Sequence, residues 1–327
     1  MDHKNSSSII KNMDELLSKG NREGRRVALE ILEHALKRVN AYNAVKNAIR
    51  LKDDELKIGE FRYDLSKLRN IYVLGAGKAT FEIAKALEDI LQDRIKRGVI
   101  IEKRGRREKL NRIKVFEAGH PIPDEAGMRG AIEVAKLAKE ADEGDLVLVA
   151  VTGGCSALMP LPAEGLTLED KRRVTDLLLR CGARIDEINT VRKHLSAIKG
   201  GRLALMIHPA EMVNLIVIDE VSGKPWGPTI PDTTTFKDAV EVLKKYNLWD
   251  TVPPAVRLHL EKAEPDTETP KPEEFEAIGV KSKTLILARN ADACEAATEK
   301  AEKLGYRASI LTTVLEGESN CLLYTSD

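Results

Sequence analysis

A glycine-rich loop with a lysine offers the clearest chemistry in this sequence. The run GAGKAT at 75–80 follows the apolar stretch IYVL at 71–74 and places Lys78 directly after Gly75 and Gly77. Backbone N–H groups at a strand–helix junction, together with the helix dipole, favour a bound phosphate. A lysine there adds a positive charge that suits a phosphate in transfer. The alternative is a tight turn with a solvated lysine.

The same loop partly matches two nucleotide-binding motifs. Gly75, Gly77 and Thr80 form G-x-G-x-x-T, in which Thr80 replaces the third glycine of the dinucleotide fingerprint. Glu102 ends the next predicted strand, where an acid would bind the ribose of NAD. A dehydrogenase therefore stays open, whereas the Walker A motif fails because Tyr72 stands at its first glycine.

A second glycine-rich loop, VTGGCSALMPLP at 151–162, follows the most apolar predicted strand. It offers consecutive backbone N–H groups and two hydroxyls, so it is a candidate anion-binding nest. The candidate residues are Thr152, Gly153, Gly154, Cys155 and Ser156. The loop lacks the last glycine of the G-x-S-x-G nucleophile elbow, which disfavours a serine hydrolase. A simple turn is the alternative.

A basic helix face is a third candidate. A helical pattern covers 185–206, with a polar face that carries Asn189, Arg192, Lys193, Ser196 and Lys199, and Gly200-Gly201 is predicted to interrupt the helix. Because the whole chain has balanced charge, this local excess of cations indicates an anion site. A solvated face is the alternative.

Two further residues have weaker signals. Asp219 ends the predicted strand NLIVID at 214–219, where a carboxylate could hold Mg²⁺ or cap the following loop. His120, in the proline- and glycine-rich loop 117–131, is interpreted as structural.

Composition excludes several classes of protein. The 327 residues include 52 Lys+Arg and 52 Asp+Glu, a balance that argues against nucleic-acid or anionic-membrane binding. Apolar runs are too short to span a bilayer, and the N-terminus has no apolar signal core. The four cysteines form no C-x-x-C pair, which indicates reduced thiols and a cytoplasmic protein.

Strand-like and helix-like segments alternate along the chain. Short continuous apolar runs are typical of strands buried on both faces, and they alternate here with helical periodicity, which predicts a doubly wound, mostly parallel, Rossmann-like α/β sheet. The predicted strands are 71–74, 98–101, 113–117, 145–151, 214–219 and 283–288. Helical patterns cover 24–50, 79–92, 126–141, 168–182, 185–206, 235–246 and 290–304.

The distribution of Pro, Glu and Thr predicts the domain boundaries. An N-terminal domain covers 1–260, a linker covers 261–282, and 283–317 begins a second α/β domain or docks on the first. Residues 320–327 fit neither pattern and are interpreted as a non-native tail.

Four motifs, taken in order, resemble the glycerate 2-kinases with a MOFRL domain, which are sometimes named hydroxypyruvate reductases. The motifs are GAGKAT, AGHPIPDEAGMRGA, VTGGCSALMPLP and INTVRKHLSAIKGGRLA. The resemblance implies ATP- and Mg²⁺-dependent phosphorylation of D-glycerate at its 2-hydroxyl, between two α/β domains. It also implies that Lys78 is catalytic. We assign Arg192 and Lys193, with Asn189, to substrate or nucleotide anions, and a homodimer is considered.

Two departures qualify this resemblance. Ile218 replaces the serine that usually precedes the metal-site aspartate, here Asp219, and the following loop is shortened. The family also continues beyond the end of this chain with a stretch that carries an active-site arginine, so we expect an incomplete chain. Losing an arginine finger costs on the order of 10³-fold in rate, so weak or no activity is expected. An NAD(P)-dependent hydroxypyruvate reductase and a non-catalytic anion-binding protein stay open.

Overall fold

The structure, a computed structural model, describes residues 8–105, 108–218, 224–263 and 267–314. Its centre is a six-stranded parallel sheet, and a three-stranded antiparallel sheet lies beside it. The strands are β1 (Ile49–Lys52), β2 (Glu55–Ile58), β3 (Phe61–Asp64), β4 (Ile71–Ala76), β5 (Ile95–Lys103), β6 (Ile113–Ala118), β7 (Leu146–Val151), β8 (Glu211–Val217) and β9 (Ser282–Ala288).

The large sheet has the order β6-β5-β4-β7-β8-β9, with parallel pairing throughout. Numbered by occurrence within this sheet, the order is 3-2-1-4-5-6, that of the dinucleotide-binding fold. Successive residues of each central strand enter different cores, so Val73 and Leu148 pack on one face while Leu74 and Val149 pack on the other. Burial on both faces explains the continuous apolar runs. The predicted doubly wound α/β fold and its strands are confirmed.

Helices cover both faces of the sheet. They are α1 (Met13–Leu16), α2 (Arg22–Arg38), α3 (Ala41–Ala48), α4 (Thr80–Leu91), α5 (Glu125–Glu140), α6 (Cys155–Leu158), α7 (Leu168–Arg180), α8 (Ile185–His194), α9 (Arg202–Ile207), α10 (Phe236–Lys245), α11 (Pro254–Lys262), α12 (Pro272–Ile278) and α13 (Asn290–Lys303). Helices α3 and α4 pack on one face, and α5 and α9 pack on the other. Helix α13 packs against α2.

A separate helical core stands beside the sheet. Helices α7, α8, α10 and α11 bury apolar side chains against one another, among them Val174, Val191, Leu243 and Val256. These helices belong to the long connections that follow β7 and β8, so the helical core lies in insertions between neighbouring strands. It supports α8, which carries the predicted basic face.

The predicted interruption of the helical pattern over 185–206 is present at Gly200 and Gly201, but the first helix ends earlier than predicted. Helix α8 ends at His194, and α9 begins only at Arg202. Gly200 and Gly201 have φ of 64° and 91°, left-handed values that end regular helix geometry. Lys199 is consequently 6% exposed instead of lying on a solvated face.

The pattern over 24–50 was also predicted as one helix, and this is wrong. It forms α2 and α3, and its end enters β1. Asn40 separates the two helices as an N-cap, because its side chain accepts a hydrogen bond from the Asn43 N–H.

The C-terminal βα unit joins the large sheet. Strand β9 pairs with β8, so this unit docks on the sheet of the first domain, which is one of the two alternatives above. The segment predicted as a linker contains α12. The division into domains otherwise stays a prediction, and the tail at 320–327 lies outside the described residues. Within the described ranges, every helix is too short or too polar to cross a bilayer.

Candidate functional site

The loops after β4 and β7 meet at the point where the strand order reverses. From β4 the chain continues to one side of the sheet through β5, and from β7 it continues to the other through β8. Ligands in such sheets bind in the crevice at the carboxyl ends of these two strands. The Lys78 N–H donates to the Gly153 carbonyl at 2.8 Å, and the Thr152 N–H donates to the Ala76 carbonyl at 3.3 Å. The structure therefore joins the two predicted loops.

Two glycines allow this close approach. A Cβ on Gly75 would lie 2.1 Å from the Ala150 carbonyl oxygen. A Cβ on Gly77, whose φ is 147°, would lie 2.1 Å from Thr152 Oγ1. A side chain at either position would therefore push the two loops apart.

The backbone N–H groups of the first loop are already engaged. Those of residues 77–81 all donate within the protein, so the expectation that they are available for an anion is wrong. Their acceptors, in order, are the carbonyls of Ile101 and Gly153, Thr152 Oγ1, the Gly77 carbonyl and Glu102 Oε2. The loop contributes the exposed Lys78 side chain. The assignment of Gly75 and Gly77 to phosphate binding stays a prediction.

Glu102 has a structural position. Its side chain is buried, with the residue 3% exposed, and Oε2 accepts the Phe81 N–H at 2.9 Å. The carboxylate thus caps the first turn of α4, where it complements the helix dipole. A ribose hydroxyl would have to displace this contact, so the dehydrogenase interpretation loses its acidic residue.

The second loop does present available N–H groups. Those of Gly153, Gly154 and Ser156 find no acceptor within the described part of the chain, while the Cys155 N–H donates to the Thr152 carbonyl at 3.2 Å. Gly154 has a left-handed φ of 87°, which is common in such nests. Burial raises the pKa of the Cys155 thiol, so Cys155 is a neutral packing residue and not a nucleophile.

His120 and Lys78 both pack against Gly154. A Cβ on Gly154 would lie 2.8 Å from His120 Cδ2 and 3.1 Å from Lys78 Cγ. His120 follows β6, so three strand ends contribute to this cluster. Sequence reasoning interpreted His120 as structural. The position of His120 in the loop after a predicted parallel strand was the signal that could have placed it in this cluster.

Arg192 brings an unpaired cation to the second loop. Its half-buried side chain forms no ion pair with the described carboxylates and interacts electrostatically with Cys155. Burial lowers the pKa of the Arg192 guanidinium, although arginine stays charged at ordinary pH. Asn189 lies one turn earlier on α8 and is also half-buried. The assignment of both residues to an anion stays a prediction.

Lys193, on the same helix, is engaged differently. Its ammonium pairs with Asp232, whose side chain is fully buried. Burial raises the pKa of Asp232, but Lys193 and the Thr234 N–H together lower it by a larger amount. The net pKa of Asp232 therefore lies below its ordinary value. The pair is therefore charged and supports the packing of the segment before α10. Asp232 was missed because no local pattern links it to α8.

The predicted metal ligand Asp219 lies outside the described residues. Elsewhere in the described ranges, His, Cys, Asp and Glu side chains form no group of three that could hold a metal ion. Strand β8 pairs with β7 up to Ile216 and Val151, so β8 ends beside the start of the second loop.

Known proteins are similar to this chain in sequence and fold. The domain of unknown function DUF4147 matches residues 27–261. A glycerate 2-kinase from Pyrococcus horikoshii is 42% identical over 299 residues, which cover 90% of this chain and 66% of that protein. A D-glycerate 2-kinase from Thermotoga maritima is 34% identical over 303 residues, again 90% of this chain and 66% of that protein.

A crystal structure of a Pyrococcus horikoshii protein superimposes with a TM-score of 0.77 at 41% identity, covering 92% of this chain and 68% of that one. The chain thus spans about two thirds of the length of these relatives. The chain belongs to the DUF4147 family, and the resemblance to glycerate 2-kinases that its motifs indicate is confirmed.

Proposed function

We propose that this chain takes part in the ATP-dependent phosphorylation of D-glycerate at its 2-hydroxyl, giving 2-phosphoglycerate. The observation that carries the proposal is the meeting of Lys78, the available N–H groups of Gly153, Gly154 and Ser156, and Arg192, which has no carboxylate partner among the described residues. Phosphoryl transfer depends on positioning and on stabilising charge on the phosphoryl oxygens. The names of the similar proteins from Pyrococcus horikoshii and Thermotoga maritima support the same reaction.

The residues divide this task by their chemistry. Residues 152–156 hold a phosphate group through backbone N–H groups and hydroxyls. The Lys78 ammonium follows the phosphoryl group, because a lysine on a flexible stem can track charge as it moves between oxygens. Arg192 and Asn189 bind a substrate or nucleotide anion. The ion pair with Asp232 favours a structural role for Lys193.

Mg²⁺ is the proposed metal, with Asp219 as its protein ligand. Mg²⁺ is commonly bound through one or two carboxylates plus substrate phosphates, so a dedicated cluster is not required. The end of β8 beside the second loop fits this arrangement, since the chain leaves the sheet there next to the proposed phosphate site. The ion would neutralise negative charge on the nucleotide phosphates.

The reductase alternative is weaker at the same loop. An NAD-dependent enzyme would use Gly75, Gly77 and an acid that binds ribose. In this protein Glu102 is buried and hydrogen-bonded to the Phe81 N–H. A kinase needs only the Lys78 charge at this position.

A paired measurement tests the proposal. ATP should raise the melting temperature and NADH should not, and a coupled assay should detect ADP release that depends on glycerate. Stabilisation by NADH without an ATP effect would favour the reductase. Stabilisation by ATP without turnover would favour a non-catalytic anion-binding protein.

Two further proposals concern the cellular location and the quaternary state of the protein. A cytoplasmic location agrees with Cys155, Cys181 and Cys294 being free thiols. A homodimer is proposed as the quaternary state, and light scattering coupled to gel filtration tests it directly.

A further inference from the structure

Lys199 is buried directly behind the second loop. The residue is 6% exposed, and its ammonium donates to the Ser156 carbonyl at 3.1 Å and to the Met159 carbonyl at 2.9 Å. These carbonyls belong to the turn that carries the available N–H groups of Gly153, Gly154 and Ser156. A lysine is seldom buried without a carboxylate, so this position calls for a reason.

The groups around Lys199 make its charge more unusual. Cys155 and Arg192 interact with it electrostatically, and Lys171, itself buried, interacts with both Lys199 and Arg192. Lys171 donates to the Leu195 carbonyl at 2.8 Å. None of these three basic side chains is paired with a carboxylate of the described residues. Burial lowers the pKa of Lys171 well below its ordinary value, so the positive charge behind the loop is that of Lys199 and Arg192, which have no counter-ion among the described residues.

Such a cluster suits a ligand that carries more than one negative charge. The Ser156 and Met159 carbonyl oxygens carry partial negative charge, which would repel an anion bound at the neighbouring N–H groups. Their bonds to the ammonium neutralise that charge and fix the turn. The unpaired positive charges then act through a low-dielectric interior, where they are screened less than at a surface.

We propose that Lys199 is a positioning residue for phosphate: it fixes the turn at 156–159, and its charge sets the affinity of residues 153–156 for a phosphate group. Lys199 itself does not touch the ligand. The inference deepens the proposed function, because the anion is taken to be a phosphate of that reaction.

The charge of Lys199 can be removed by pH alone. Burial lowers the pKa of its ammonium, Cys155 raises it and Arg192 lowers it by a smaller amount, and the net pKa falls from 10.5 to about 8. The ammonium is mostly charged well below this pKa and mostly neutral well above it. Anion affinity should therefore fall as pH rises through this value. Burial moves the pKa of the Cys155 thiol upward from 9.0, so that group titrates at higher pH.

Sulfate is the probe, because it remains a dianion throughout this pH range. Its binding is measured by calorimetry between pH 7 and pH 9.5 for the wild type, Lys199→Met and Lys199→Arg. Wild-type affinity should fall about tenfold or more around pH 8, the size expected for removing one poorly screened charge. Lys199→Met should bind weakly at every pH, and Lys199→Arg should bind well at every pH because arginine stays charged.

Two controls locate the effect. Arg192→Ala should weaken sulfate binding at every pH and leave the fall near pH 8 in place. Lys237→Met, at an exposed position of α10, should behave as the wild type. If Lys199→Met does not fold, the wild type and Lys199→Arg still decide the question.

A flat wild-type profile, or a Lys199→Met protein with wild-type affinity and the same fall near pH 8, would overturn the role of Lys199. Neither result depends on turnover. A missing kinase activity with the expected sulfate profile would refute the proposed reaction and leave the role of Lys199 standing.

Discussion

Two groups of basic side chains lie around α8, and they differ in their acidic partners. Arg192 and Lys199 face the second loop and have no carboxylate partner among the described residues. Lys193 and His194, one and two positions after Arg192, meet Asp232 and Glu268. A buried charge with an internal partner is already compensated, whereas one without a partner is costly until a ligand compensates it. The unbalanced group is therefore the better candidate for function.

The balanced group holds segments distant in sequence. His194 is fully buried, with Nδ1 2.8 Å from the Thr190 carbonyl and Nε2 2.8 Å from Glu268 Oε1. The carbonyl can only accept, so Nδ1 donates. Glu268 Oε2 also accepts the Phe236 N–H at 2.8 Å. This network ties the segment before α12 to α8 and α10.

The largest effect should come from Lys78, which packs against Gly154 in the loop that Arg192 and Lys199 face. Lys78→Ala should lower kcat by about 10²–10³, the range for losing one preorganised donor to a transition state. Melting temperature should stay near that of the wild type because the side chain is exposed. Steady-state kinetics in the ATP and glycerate assay measure this, with Lys237→Ala as the matched lysine control. An unchanged kcat would remove Lys78 from the reaction.

Breaking the Lys193–Asp232 pair should reduce the stability of the fold more than it weakens ligand binding. Lys193→Ala leaves Asp232 buried without its counter-ion and should destabilise the fold by on the order of 3 kcal/mol. Adding Asp232→Asn should recover part of that loss, since the uncompensated charge is then gone. Urea unfolding measures both variants. A stable Lys193→Ala protein whose KM rises as far as that of Arg192→Ala would erase the distinction between the two groups.

Arg192→Ala tests the group that has no carboxylate partner among the described residues. It should raise KM by about tenfold to a hundredfold, the equivalent of 1.5–3 kcal/mol for a hydrogen bond to a charged group. The value of kcat should change little, because the guanidinium holds ground and transition states alike. Arg180→Ala, at an exposed position of α7, is the control. Wild-type KM values for both substrates would show that Arg192 is a solvated residue.

The smallest effect concerns acid stability and Glu268. Burial raises the pKa of this carboxyl, but a larger lowering comes from the Phe236 and Thr269 N–H groups together with His194 and Lys271. Its net pKa lies below the ordinary value, so its stabilising contribution is present above that value and is lost as pH falls through the folded-state pKa.

Glu268→Gln should therefore lose less stability than the wild type between pH 5 and pH 3, by on the order of 1 kcal/mol, the net contribution of one typical hydrogen bond. Thermal unfolding across this range measures the difference. Parallel curves for the two proteins would show that the Glu268 network does not couple to protonation.

The sequence by itself determined the parallel sheet and the loops that carry the candidate site. Strands buried on both faces are continuous apolar runs, and strand alternation with helices places the following loops at one edge of the sheet. The short strands β1–β3 were not predicted, because half of the residues in their sequences IRLK, ELKI and FRYD are charged and each strand spans only four residues.

Only the tertiary structure decided which polar groups remain available for a ligand. The N–H groups after Gly75 resemble a phosphate loop, yet the neighbouring strands supply their acceptors. Lys193 and Arg192 are adjacent in the sequence, yet only Lys193 meets a carboxylate, which comes from a position 39 residues away. Local periodicity assigns a side chain to a face of a helix. Compensation of its charge depends on contacts between segments distant in sequence, and no local pattern encodes those contacts.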